Sequence, residues 1–177
     1  LTEKELVQRC IKGNREAQRE LFDKYSGRLH TVCRRYARDE PEAEDFLQEG
    51  LIVIYKKLNT FKFKGSLMGW MRTVVVNVSL RQLQKRKKNL AQDIDQINEP
   101  GFEQDMLAAL TQEEILKEIQ KLPEGYRIVF NLYVIEGYKH NEIAKMLEIG
   151  ESTSRSQLTK ARRLLQKSLM HLQSIFI

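Results

Sequence analysis

Apolar residues recur at helical spacing along most of this chain, and the whole of it reads as helix. Thr2-Glu3-Lys4-Glu5 forms a capping box, followed by Leu6, Val7, Cys10 and Ile11 on one face, with Gly13 as the stop. Asn14 is placed to cap a second helix that presents Ala17, Leu21, Phe22 and Tyr25. After Ser26-Gly27 the spacing resumes with Leu29, Val32, Cys33, Tyr36 and Ala37. Asp39-Glu40-Pro41 is a helix start, and that helix is predicted to run to about Leu58, acidic at its beginning and basic at its end as the helix dipole favours. A short loop from Asn59 to Gly65 leads to Ser66, the predicted cap of a long helix reaching Lys88.

The pattern lapses over residues 89–110, where Pro100-Gly101 punctuates the chain, and 91–110 hold five acids and no Lys or Arg. That composition predicts a flexible acidic linker. Helical spacing returns at a second capping box, Thr111-Gln112-Glu113-Glu114, with helices predicted over Glu113–Lys121 and from about Glu124 to Glu136, where Gly137 is the stop. A short helix, His140–Leu147, then a turn at Glu148-Ile149-Gly150 with Gly150 able to take positive φ, precede a longer helix from Ser152 to Leu172. The expectation is therefore an all-α protein: a helical bundle over 1–90, a linker over 91–110 and a second helical domain over 111–177.

Composition sharpens this. With 177 residues, 3 Pro and 9 Gly, the chain suits one or two small helical domains rather than a turn-rich sandwich. No window approaches the roughly 18 consecutive apolar residues of a membrane span, so no membrane insertion is expected. Cys10 and Cys33 lie on apolar stripes and read as small core residues in a reduced, cytoplasmic protein, offering neither a disulfide framework nor a zinc set. His30, His140 and His171 are scattered, and no phosphate-binding glycine loop or catalytic constellation is present in the sequence, so neither enzyme activity nor a cofactor is expected.

Charge is distributed unevenly. Residues 1–90 carry 20 Lys and Arg against 11 Asp and Glu, residues 91–125 carry 2 against 9, and residues 126–177 carry 8 against 4. Two basic blocks around an acidic one suit two modules that each meet a polyanion. In the second block a short helix, a tight turn and a basic amphipathic helix form a helix-turn-helix pattern, whose long helix sets Leu158, Ala161, Leu164, Leu165 and Leu169 opposite Arg155, Gln157, Lys160, Arg162 and Arg163. An ordinary helical hairpin has the same spacing; the basic face favours DNA.

Four stretches in order resemble the extracytoplasmic-function (ECF) type of bacterial RNA polymerase sigma factor. They are Glu42–Glu49; Phe61–Trp70; Arg72–Asn77; and Leu122–Arg127 together with Glu142-Ile143-Ala144 and Ser156–Arg162. The resemblance covers nearly the whole chain. It implies that Asp45, Gln48 and Glu49 dock on the coiled coil of the largest subunit of core RNA polymerase; helix-dipole compensation also accounts for acids there. It further implies that the 59–69 loop and the helix beyond bind the melted minus-ten element through Phe61, Lys62, Phe63, Lys64, Arg72, Asn77 and Arg81, where aromatic platforms and a cationic track suit single-stranded bases. Core packing is the competing role for Phe61, Phe63 and Trp70. Phe63 and Lys64 depart from the family's usual small and acidic residues, and Leu67 from its commoner aromatic.

By the same resemblance Lys85, Arg86, Lys87 and Lys88 contact duplex phosphate near the spacer, as do Arg127, Lys139 and Thr153 around the second domain. A solvated cationic helix end explains the lysine run equally well. Arg155, Ser156, Gln157, Thr159 and Lys160 are the expected readers of the minus-thirty-five element in the major groove, with Gln157 standing where the family often has Arg. The second domain is expected to grip the polymerase flap through Tyr126–Tyr138, the acidic linker to thread the path later taken by RNA or to serve as a plain tether, and an anti-sigma factor to cover both domains. The competing reading is a stand-alone helix-turn-helix regulator whose N-terminal half is an effector or dimerisation domain.

Overall fold

The structure is a computed structural model that describes residues 2–90 and 112–173, with the side chains of 2–86 and 113–168. The segment expected as a linker, Thr111 of the second capping box and the side chains of Lys87, Lys88 and Leu169 lie outside the described residues. Every regular element among the described residues is helical, and the chain divides into two units, Leu1–Asn89 and Leu90–Ile177.

The first unit begins with α1 (Glu3–Ile11). The Glu5 amide donates to Thr2 Oγ1 at 3.2 Å while the Thr2 amide donates to Glu5 Oε2 at 2.8 Å, the reciprocal capping that the sequence predicts. Gly13 turns the chain at φ 78°, and Asn14 Oδ1 accepts from the Ala17 amide at 2.8 Å to start α2 (Arg15–Tyr36). Ser26-Gly27 does not interrupt α2. A glycine inside a helix costs about 1 kcal/mol, and seven buried residues along one stripe, from Ala17 to Tyr36, outweigh it. Two residues expected to face inward do not: Ile11 is 47% and Phe22 43% exposed. Ile11 ends its helix beyond the last covered turn, and Phe22 sits a hundred degrees round from Leu21, which takes the core position.

Asp39 Oδ1 accepts from the Glu42 amide at 2.9 Å and opens α3 (Glu40–Lys57), with Pro41 in its first turn. A 3-10 turn, Leu58–Thr60, follows, then the loop, then α4 (Leu67–Leu90), capped by Ser66 Oγ accepting from the Gly69 amide at 3.0 Å. Helices α3 and α4 approach closely at Gly50: a methyl group there would lie 2.9 Å from Val75 Cγ2. Cys10 and Cys33 are both free and buried, and burial pushes the Cys33 thiol up to about 12, so it packs as an inert hydrophobe.

The second unit comprises α5 (Gln112–Gln120), α6 (Glu124–Phe130), α7 (His140–Leu147) and α8 (Glu151–Gln173). Ile119, Leu122, Ala161 and Leu165 form a core cluster, with Tyr126, Phe130, Ile135 and Leu164 packed on it. The predicted single helix from Glu124 to Glu136 is corrected: α6 ends at Phe130 and the chain widens into a π turn, Asn131–Ile135, in which the Glu136 amide donates to Asn131 O at 2.9 Å. The extra residue in that turn keeps Asn131 and Leu132 fully buried and leaves Val134 47% exposed. The turn before α8 also differs from expectation. Positive φ falls on Glu148 (55°), which ends α7, whereas Gly150 serves as the start of α8, its carbonyl accepting from the Ser154 amide at 3.0 Å. A non-glycine residue in the left-handed region costs about 1–2 kcal/mol, which the packing of Ile143 and Leu158 on either side of the turn outweighs.

Candidate nucleic-acid and protein interfaces

On α3, Asp45, Gln48 and Glu49 are all exposed. Their i, i+3, i+4 spacing puts them on one face. Ile52, 48% exposed, continues that face by one turn. It was not among the sequence candidates, although its spacing from Gln48 places it there. The result is an acidic stripe bordering an apolar side chain, a form suited to a basic and apolar protein partner.

The loop after α3 separates its aromatics. Phe61 is buried at 6% exposure, so the expected open platform is corrected at this position: the 3-10 turn directs the ring inward, and the Phe61 amide closes the turn on Leu58 O at 3.1 Å. Phe63 is 41% exposed and holds φ 56°. Its ring centroid lies 4.9 Å from that of Phe61, which in turn lies 5.7 Å from Trp70. An aromatic ladder thus runs from the half-buried Trp70 to the surface, ending between exposed Lys62 and Lys64.

Along α4, Asn77 and Arg81 are exposed, while Arg72 is half-buried and belongs to another flank. Asn77 Nδ2 donates to Thr73 O at 2.9 Å and Arg81 Nε to Asn77 O at 3.4 Å, which lays both side chains along the helix. Thr73, Asn77, Arg81 and Lys85 therefore form a polar and cationic stripe at four-residue spacing, all exposed. Thr73 is a stripe member that the sequence reading passed over. Arg86 is not a free phosphate contact: its guanidinium pairs with Glu42 at the start of α3, where Arg38 also binds the carboxylate, its amide donating to Oε2 at 2.7 Å. It ties α4 to α3.

In the second unit Arg127 is corrected most sharply. It is 4% exposed, and Nη1 donates to Gln120 O at 3.1 Å, so it caps the C-terminus of α5 rather than meeting phosphate. Lys139 is exposed at the start of α7, its amide donating to Glu142 Oε2 at 2.7 Å. On α8, Thr153, Arg155, Ser156, Thr159 and Lys160 are exposed. Arg155 pairs with Glu151 one turn earlier, and Lys160 Nζ stands 5.8 Å from the Tyr126 ring centroid. Gln157 is half-buried, its amide directed at α6: a methyl group on Gly125 would lie 3.2 Å from Gln157 Nε2. The helix thus presents its cations outward and turns Gln157, one of the expected readers, toward α6.

Beside this face stand His140, which was not among the sequence candidates, and two residues that it brings together, Tyr133 and Arg162. His140 Nδ1 is 2.9 Å from Ser154 Oγ, the His140 ring stacks on Tyr133 at 4.5 Å, and Arg162 stands 5.7 Å from the Tyr133 centroid. Burial, with Arg155 next, holds the His140 imidazole below its ordinary value. Among the described residues no group of three or more His, Cys, Asp or Glu could hold a metal ion, and no helix is long and apolar enough to cross a membrane.

Comparison with known proteins agrees with the division into units. Residues 21–89 match the family described as Sigma-70 region 2, and residues 112–165 match Sigma-70, region 4. The chain is similar to the ECF RNA polymerase sigma factor SigW of Bacillus subtilis, at 24% identity with 96% of this chain and 97% of the relative covered. It is similar also to the ECF RNA polymerase sigma-E factor of Escherichia coli K12, at 25% identity with 97% and 96% covered. Its fold is similar to that of the sigma factor RpoE of Bartonella quintana, solved with the anti-sigma factor NepR: TM-score 0.54, 19% identity, 86% of this chain and 96% of that one.

Proposed function

Since the chain belongs to the sigma-70 family of RNA polymerase sigma factors, in its ECF branch, we propose how its two units share the work of directing the polymerase to promoters. The unit of α1–α4 docks on the coiled coil of the largest polymerase subunit through Asp45, Gln48 and Glu49, with Ile52 completing the contact. The Thr73–Lys85 stripe carries the phosphate backbone, and Phe63 between Lys62 and Lys64 offers its ring to an unstacked base of the minus-ten element. Thr73 enters here on exposure and spacing, and Lys85, expected at duplex phosphate near the spacer, continues the same stripe; Phe61 and Trp70 act from beneath by holding Phe63 outward.

The unit of α5–α8 lays α8 in the major groove at the minus-thirty-five element. Arg155 and Lys160 face base edges, and Ser156, Thr159, Thr153 and Lys139 adjoin the backbone. Exposed Val134 in the π turn suits contact with the polymerase flap. The protein acts as a cytoplasmic initiation factor rather than an enzyme. Capture by an anti-sigma factor is supported by the fold neighbour solved with one.

The observation that carries this reading is the pair of region matches, each falling on a unit with an exposed cationic face. The stand-alone regulator reading is not favoured by it. Run-off transcription decides: core polymerase with this protein should start transcripts at discrete promoters, while the protein alone should bind the same duplexes only weakly and non-specifically. Tight, specific duplex binding by a dimer without core enzyme, and no promoter-dependent initiation with it, would reverse the conclusion.

A further inference from the structure

His140, the first residue of α7, meets α8 and the π turn at once. Its Nδ1 lies 2.9 Å from the Oγ of Ser154, a residue with no exposed surface in the first turn of α8. A buried hydroxyl without a partner is costly, so this hydrogen bond constrains where α8 begins. The same imidazole lies nearly parallel to the Tyr133 ring, 22° between planes, and Arg162 approaches that ring from two turns further along α8. Helix α8 is therefore held at two heights by one chain of contacts: Ser154 to His140, His140 to Tyr133, Tyr133 to Arg162. Ser154 stands between Thr153 and Arg155, both exposed, each about a hundred degrees round the helix from it. Rotation of α8 about its axis would break the hydrogen bond and swing Arg155 away from its place.

We propose that His140 is a positioning residue for upstream-element recognition, fixing the rotation of α8 through its contacts with Ser154 and Tyr133; this rests on the promoter-recognition reading above. The charged groups around it agree with the neutral form. Burial and, on α8, Arg155 and Arg162 disfavour a proton, while Glu151 on the same helix favours one. The π turn presents the Tyr133 ring, and Lys139 and Glu142 flank the start of α7 itself. A proton on His140 sets a third cation beside Arg155 and Arg162, so acidification loosens the hold on α8.

The test uses the full-length chain with core RNA polymerase on a template library whose upstream hexamer is randomised, with transcripts sequenced at about pH 8 and about pH 5. The natural protein should enrich one hexamer. His140→Phe keeps a ring for Tyr133 but cannot hydrogen-bond Ser154, and should lower that enrichment about tenfold. His140→Asn puts a polar group back within reach of Ser154 and should recover most of it. Ser154→Ala should match His140→Phe, and the two together should do no more than either alone. Enrichment by the natural protein should fall on acidification, and that fall should vanish in His140→Asn. Unchanged hexamer preference in His140→Phe would overturn the proposal, as would a loss of total transcription with the preference intact, or a pH response that survives in His140→Asn. If His140→Phe fails to fold, His140→Asn and the pH response decide. A natural protein that enriches no hexamer overturns the promoter-recognition reading first, and the role of His140 with it.

Discussion

The two units solve the problem of presenting a cationic surface in different ways. In the first, the candidate side chains stand on the outer faces of helices whose inner faces close an apolar core including Leu21, Leu29, Ile54, Met71 and Val75. The stripe of α4 needs little beyond its own helix, because Asn77 and Arg81 bond to carbonyls one turn back. In the second, Leu158, Ala161 and Leu165 seat α8 on the apolar core, and polar and aromatic contacts add to that hold: Ser154 on His140, and Tyr133 between His140 and Arg162. Apolar packing tolerates small rearrangements, whereas hydrogen bonds to buried groups are directional. Recognition by the second unit should therefore be more sensitive to single polar substitutions than docking by the first.

The sharpest break in that comparison is Arg127. Arg127→Ala removes a buried guanidinium bonded to the α5 terminus and leaves its volume empty, which should destabilise the second unit by about 3 kcal/mol. Lys160→Ala, on the exposed face, should change stability by less than about 0.5 kcal/mol while lowering the salt dependence of promoter binding. Calorimetry of the full chain, with its melting resolved by unit, measures both.

Gly50→Ala comes next. The added methyl meets Val75 at 2.9 Å between two packed helices and should cost about 1–3 kcal/mol in the first unit. Gly125→Ala meets only the end of the Gln157 side chain, which can swing away, and should cost less than about 1 kcal/mol. Equal losses in urea titrations would erase the contrast between rigid and yielding contacts.

The two units also differ in their response to pH. The Cys33 thiol, held up to about 12 by burial, favours the folded first unit fully below its ordinary value of 9.0, and that stability is lost as pH rises from there towards 12. Near pH 10 the loss should be about 1.4 kcal/mol. His140 has the opposite sign. Its lowered value favours the folded second unit above its ordinary 6.5, and that stability is lost as pH falls through the lowered value. Cys33→Val should flatten the alkaline limb of a stability profile and His140→Asn the acid limb, each leaving the other in place.

Most helices were legible because caps and apolar spacing agreed: Thr2 with Glu5, Asn14, Asp39 with Pro41, Ser66, and the limits of α7. The π turn at Asn131 was not, since one extra residue in a turn leaves the helical period intact on either side of it. Positive φ at Glu148 rather than Gly150 was hidden for a related reason, because glycine marks where such a conformation is cheap, not where the chain needs it. Within the candidate site, exposure of Asp45, Gln48, Glu49, Arg155 and Lys160 followed from helical phase. The burial of Phe61 and Arg127 did not, because both depend on neighbours brought by the tertiary fold: Phe63 and Trp70 around the one, the end of α5 beside the other. The pairing of Arg86 with Glu42 spans 44 residues and leaves no local trace in the sequence.

The central claim is that one surface docks the polymerase while a separate one chooses the promoter. Its most direct test sets two double variants side by side in run-off transcription and in competition for core enzyme. Asp45→Arg with Glu49→Arg should weaken core binding about a hundredfold and abolish initiation everywhere. Arg155→Ala with Lys160→Ala should bind core enzyme as tightly as the natural protein and lose only the starts that depend on the upstream hexamer. If the second variant starts transcripts from such a promoter as faithfully as the natural protein, or if the first keeps full affinity for core enzyme, the division of labour described here is wrong.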